Sequence, residues 1–240
     1  MYLDSVDFLE NLKKEPNNSD LYRKVRNWQN EYGSLELENF KLSEKLLENQ
    51  TIHVKDIIGS THSDYVNQRW IDFFLNLGVG RRGKRLEFRL LDLENSFEYL
   101  ESSFEKDTEI PHYFRVNGVK KYFVDVGQHR THIIKALYNL GEHDGFIKGI
   151  NIVDHSFDLK LYEGFINLRE KISKKEIPYK YVFPNKYYND FNGKFGVSLK
   201  LEPNNWMIRD LKPLKSIEEV NKVLNKNYSF FNLFFDFLIS

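Results

Sequence analysis

Gly127-Gln128-His129-Arg130 sets a glycine, an imidazole and a guanidinium directly after the strand-like run Tyr122-Phe123-Val124-Asp125-Val126, and directly before a helix-like run opening at Thr131. Glycine lets a ligand come close to the backbone, and a helix start adds N–H donors and partial positive charge. Arg130 can grip two phosphate oxygens in a fork, and His129 can add a hydrogen bond or carry a proton near neutral pH. Phosphate binding is the chemistry this combination suits. The structural alternative pairs Arg130 with a carboxylate and leaves His129 satisfied at the surface.

Two further polar stretches could serve the same chemistry. Gly59-Ser60-Thr61-His62-Ser63-Asp64 follows the first strand-like run. Its hydroxyls and a helix start could hold a second phosphate or a divalent cation beside Asp64, or Thr61 or Ser63 could simply cap a helix. The loop at 78–85 concentrates Arg81, Arg82, Lys84 and Arg85 among three glycines, either as a clamp for phosphate or DNA or as a solvated loop answering Glu87 and Asp92. His53, His112, His132, His143 and His155 show no metal-ligand spacing.

Composition narrows the field. The 240 residues carry 35 Lys and Arg against 35 Asp and Glu, so no global field draws the chain to nucleic acid, and any such contact must come from a local patch. No cysteine is present, which excludes disulfides, thiolate catalysis and cysteine-held metal centres. With 41% hydrophobic residues the chain can bury a proper core. No apolar run reaches the ~20 residues of a membrane span and the acidic N-terminus is unlike a signal peptide, so a cytoplasmic protein is expected.

These residues must be positioned by regular elements. Phe8, Leu9 and Leu12 share a helical face, as do Leu21, Tyr22, Val25 and Trp28, and 35–47 reads as a third helix ending near Asn49. Residues 51–58 read as a strand and 64–77 as an amphipathic helix, with a further helix favoured from Leu93. Asn117-Gly118 between two aromatic runs signals a hairpin with a type I′ turn. Ile133, Ile134, Ala136, Leu137 and Leu140 line one face of a helix over 131–140, with Gly141 as its C′ residue, and 149–153 reads as a strand. Beyond it come a helix over 159–174, an aromatic, Asn-rich stretch at 178–193, a strand over 195–201, a helix over 216–224 capped by Ser216 and Glu219, and an apolar tail at 228–238.

The hairpin, the Gly127-Gln128-His129-Arg130 turn, the helix ending in Leu140-Gly141 and the strand after it together resemble the ParB/sulfiredoxin superfamily. The resemblance spans residues 51–155 and is specific at 125–141. It implies an α+β fold with a small mixed sheet at 51–155, N-terminal helices at 1–50, and a mixed segment at 156–240 packing back on the core. It also implies that Gly127, Gln128, His129, Arg130 and Thr131 bind the phosphates of a nucleotide, ATP, ADP or CTP, with Mg2+. Ser60, Thr61 and His62 would lie beside the pocket, and His129, Arg130 and Asp125 would do the catalysis on a small-molecule acceptor. Gln128 stands where sulfiredoxins carry their catalytic cysteine, so sulfiredoxin activity is excluded. Asp125 is set one residue further from the glycine than the common pattern has it. A nucleotide-dependent phosphotransferase or NTP hydrolase is the leading expectation. The rival is a ParB-like DNA-binding protein or nuclease using the 80–85 loop, although no helix-turn-helix follows.

Overall fold

Tyr122, Phe123 and Val124 are aromatic or β-branched and all buried, as befits a strand with a neighbour on either side. Around this strand the computed structural model describes residues 5–16, 19–66, 68–76, 90, 110–189, 194–204 and 212–226, which form an α+β fold. The described elements, in chain order, are α1 (Ser5–Lys14), β1 (Arg26–Asn27), α2 (Trp28–Glu31), α3 (Leu35–Glu38), β2 (Lys41–His53), β3 (Ile57–Ser60), α4 (Asp72–Leu75), β4 (His112–Val116), β5 (Tyr122–Val124), α5 (Gln128–Asn139), β6 (Phe146–Phe157), α6 (Leu159–Ser173), β7 (Tyr179–Asn189), β8 (Lys194–Pro203) and α7 (Ile217–Leu224). A mixed six-stranded sheet runs in the order β1-β3-β5-β4-β6-β2, and β7 and β8 form a separate antiparallel pair. The chain divides into two units, residues 1–32 with 45–155 and residues 33–44 with 156–240. Residues 1–32 therefore belong to the unit that holds α5.

In the first unit β1, β3 and β5 are parallel, with Asn27 beside Ser60 and Ser60 beside Val124. Their C-terminal ends therefore share one edge, where α5 begins. β4 returns antiparallel to β5, and the Asn117-Gly118 turn takes the positive φ angles, 51° and 71°, that a type I′ turn demands. At the far end of α5, Gly141 has φ 78°. There the Glu142 N–H reaches Leu137 O and the Gly141 N–H reaches Tyr138 O, a Schellman stop.

Helix α5 is covered on more than one side. Ile133, Ile134, Ala136 and Leu137 share a core with Tyr113, Tyr122, Val124, Ile150 and Ile152 of the sheet, and the same core takes in Phe8, Leu12, Leu21, Trp70, Ile71 and Phe74. Arg130, Thr131, His132 and Lys135 are consequently buried as well, so α5 is an internal helix where its sequence reads as a surface one.

Three sequence expectations are corrected. The helix expected over 35–47 is the four-residue α3 followed by the long edge strand β2, most of whose side chains are exposed. The residues expected as a helix from Ser19 form a 3-10 turn, the short strand β1 and the single turn α2. The helix expected over 64–77 is a 3-10 turn at Ser63–Tyr65 and the single turn α4. Several strands are longer than expected, β6 and β8 among them, and the aromatic stretch from 179 is strand β7. The helix expected from Leu93, the basic residues at 81–85 and the apolar tail at 228–238 lie outside the described residues.

The second unit packs β7 and β8 on α6. Val182, Val197 and Leu199 are buried there with Leu161, Phe165 and Leu168, and Gly164 of α6 lies close to Ile217 and Val220 of α7. Ser216 caps α7 by accepting from the Glu219 N–H at 3.3 Å, while the Glu219 carboxylate takes the Lys215 N–H at 2.5 Å.

Candidate functional site

Val124 ends β5 in the core, and the chain must then turn within three residues to start α5. Gly127 makes the turn with φ 96° and ψ 24°, and a Cβ on it would stand 2.9 Å from Pro111 Cβ. Any other residue there would carry strain of about 1–3 kcal/mol before that clash is counted. No side chain caps the helix at Gly127, and the first helical bond runs from the Thr131 N–H to Gly127 O at 3.0 Å. The N–H groups ahead of that bond lie at the positive end of the helix dipole.

The two polar turns expected from the sequence meet at this point. Ser60 Oγ accepts from Gln128 Nε2 and from the His62 N–H, each at 2.9 Å. Thr61 Oγ1 donates to Asp125 Oδ1 at 2.7 Å, and the Thr61 N–H donates to Val124 O at 3.0 Å. Thr61 therefore ties the two turns together and does not cap a helix. The amide of Gln128 also donates to Val124 O at 2.8 Å, so this side chain lies buried against the strand ends.

Thr131 is equally fixed. Its hydroxyl donates to Gly127 O at 3.0 Å, which makes the Tyr113 OH, 2.7 Å away, the donor to Thr131 Oγ1. Burial pushes the Tyr113 phenol above its ordinary range, against the bond to Thr131 and the positive charge of Arg130, so it stays a neutral donor. Arg130 is itself only 6% exposed. His129 is half-buried, with Nε2 3.5 Å from the Tyr65 OH. Of the expected site residues, Ser60, Thr61, His62, Asp125, Gly127, Gln128, His129, Arg130 and Thr131 thus come together through their bonds and chain positions. Asp64 is exposed and receives the Ser63 hydroxyl at 3.4 Å. Among the described residues no group of three or more His, Asp or Glu is placed to hold a metal ion.

Two residues of α5 complete the picture: His132, weighed in the sequence only as a metal ligand, and Lys135, which the sequence did not single out. His132 Nδ1 donates to Gln128 O at 2.7 Å, and its ring is enclosed by Tyr65, Trp70 and Phe73. Burial drops its pKa to about 3, so it remains neutral at physiological pH. Lys135 Nζ donates to Val54 O at 2.8 Å and Ile57 O at 3.3 Å, and lies 5.1 Å from the Trp70 ring centroid. Burial lowers its pKa to about 8. Both fix α5 beneath the turn, and only the Gln128/His132 and His132/Lys135 helical spacings hinted that they share a face. No helix among the described residues is long and apolar enough to cross a membrane. No family model, curated protein or solved structure matches the chain.

Proposed function

We propose that the chain binds a nucleotide through its phosphates at residues 127–131 and transfers a phosphoryl group to a small hydroxyl-bearing acceptor or to water. The observation that carries this reading is the meeting of the 60–62 and 125–129 turns at the shared C-terminal edge of β3 and β5, in front of the N-terminus of α5. Crevices at the carboxyl ends of parallel strands favour ligands, and helix N-termini favour anions. The ParB/sulfiredoxin-like pattern of the turn agrees with such a use.

Each residue then has a role. Gly127 admits a phosphate to the backbone N–H groups, and Arg130 adds positive charge behind them. His129, the half-exposed member, hydrogen-bonds a phosphate oxygen or returns a proton to the leaving group. Asp125 is held by Thr61 through Oδ1, so Oδ2 is the oxygen that takes the proton of the attacking hydroxyl as the bond to the leaving phosphate breaks. A Mg2+ ion brought with the phosphates would be held by Asp64 and would supply charge neutralisation.

A thermal-shift series with ATP, ADP, CTP, GTP and AMP plus Mg2+ tests the reading on wild type and His129→Ala. One nucleotide at about a hundred times its Kd should stabilise wild type by about 2.7 kcal/mol, and His129→Ala should need roughly tenfold more ligand for the same shift. The reading fails if no nucleotide raises Tm and none perturbs the amide resonances of 127–131.

A further inference from the structure

Alternation along β7 leaves Tyr181 and Phe183 on one face of the two-stranded sheet, opposite Glu202 and Lys200 of β8. The alternate face carries Val182, Val197 and Leu199, which the unit buries. Tyr181 and Phe183 instead stay 49% and 47% exposed, their ring centroids 5.8 Å apart. Register slips between Tyr179 and Tyr181, and at this irregularity the Lys180 ammonium lies 5.2 Å from the Tyr181 ring centroid.

Charge is segregated here. The chain balances 35 basic against 35 acidic residues, yet β7 and β8 hold Lys180, Lys186, Lys194 and Lys200 against Glu202 alone. Among the described residues, Lys180, Lys186 and Lys200 are in no ion pair with a carboxylate. Two exposed rings at successive same-face positions offer π surfaces to unstacked bases, and the lysines offer cations to the phosphates between them. Duplex DNA presents no free base faces to such rings, and an apolar protein partner would gain nothing from the lysines.

We propose that the Tyr181 and Phe183 face of the β7–β8 sheet binds single-stranded nucleic acid, stacking bases on the two rings and holding the backbone with Lys180 and Lys200. This surface uses none of the residues of the 127–131 turn and does not rest on the function proposed for it.

Fluorescence anisotropy of the full chain with labelled oligothymidine and oligouridine of about 12 nucleotides, and with a duplex of equal length, tests the proposal. Single strands should bind, and affinity should fall about tenfold between about 50 mM and about 200 mM salt, as two or three neutralised phosphates require. The double variant Tyr181→Ala/Phe183→Ala should bind at least tenfold more weakly, and Lys200→Gln should flatten the salt dependence. Tyr188 and Phe195, 54% and 60% exposed with rings 5.3 Å apart on the alternate face, supply the control pair, whose replacement by Ala should leave affinity unchanged. The proposal is overturned by absence of binding at low salt, by equal affinity for the duplex, or by equal losses in the control pair. It is also overturned if wild type forms a concentration-dependent dimer that the Tyr181→Ala/Phe183→Ala variant abolishes, because a second copy would then be the occupant.

Discussion

Helix α5 and the β7–β8 sheet use polar and aromatic residues in opposite ways. In α5, Thr131, His132 and Lys135 are buried and each has its hydrogen bond, while the aromatic residues around them, Tyr65, Trp70, Phe73 and Tyr113, form the enclosure. In the sheet the rings of Tyr181 and Phe183 face outward and the lysines beside them have no carboxylate partner among the described residues. Residue type alone therefore does not decide exposure here. What packs on a position decides it, because a helix covered on more than one side buries even its polar positions, whereas the two-stranded sheet leaves even the rings of Tyr181 and Phe183 half exposed.

If α5 is internal, its titratable groups must couple to stability, and the largest effect belongs to His132. Its folded pKa is about 3 against an ordinary 6.5, so between those values the unfolded chain binds a proton that the native one refuses. Stability is lost as pH falls from about 6.5 toward 3, by roughly 4–5 kcal/mol in full. His132→Leu should remove that part of the acid limb in urea titrations run across the range. An unchanged limb would mean the imidazole is solvated, and the contrast with the sheet would lose its main support.

Lys135 sharpens the same contrast at the other end of the pH scale. Its pKa is depressed to about 8 from 10.5, mainly by burial, so between pH 8 and 10.5 the unfolded chain carries the extra proton. Stability should therefore rise with pH through that window, by roughly 3 kcal/mol, before other groups are counted. Comparison with Lys135→Met isolates the contribution, since the variant should lack the rise. Parallel pH profiles for the two proteins would place the ammonium in water.

These buried groups also mark where the sequence stopped being legible. The hairpin, turn and helix at 113–141 could be read because local rules decide them: Asn117-Gly118 needs positive φ, Gly127 needs a left-handed turn, and Gly141 stops the helix. Helix α6 matches the helix expected over 159–174, and α7 was readable from its Ser216 and Glu219 cap. β2 was misread because Lys, Glu and Leu favour helix, and because Asn49, at φ 51°, shifts the alternation so that Leu47 and Ile52 both reach the core side. Its Lys and Glu residues are the charges that protect a sheet edge, a role visible only once the strand order is known. The region 64–77 was misread because the aromatic residues that imitate one helical face, Tyr65, Trp70 and Phe73, cover His132 from a 3-10 turn, the link after it and the single turn α4. At the candidate site hydrogen bonds join the turns at 60–61 and 125–128, and the burial of Gln128 and Arg130 is not visible in the sequence, since it depends on layers contributed from elsewhere in the unit.

The smallest predicted effect tests the exposed side of the contrast. Phe183→Ser should change stability by no more than about 0.5 kcal/mol, because half of the ring already stands in water and surface changes away from special features cost little. Val182→Ser, one residue away and facing the buried side, should cost about 2–3 kcal/mol through lost apolar burial and a hydroxyl left in the core. Urea unfolding of the two variants beside wild type measures both. A cost at Phe183 that matches the cost at Val182 would mean that something covers the ring in solution. If that cost grew with protein concentration, a second copy would be the cover, and the face would be an interface of the chain with itself.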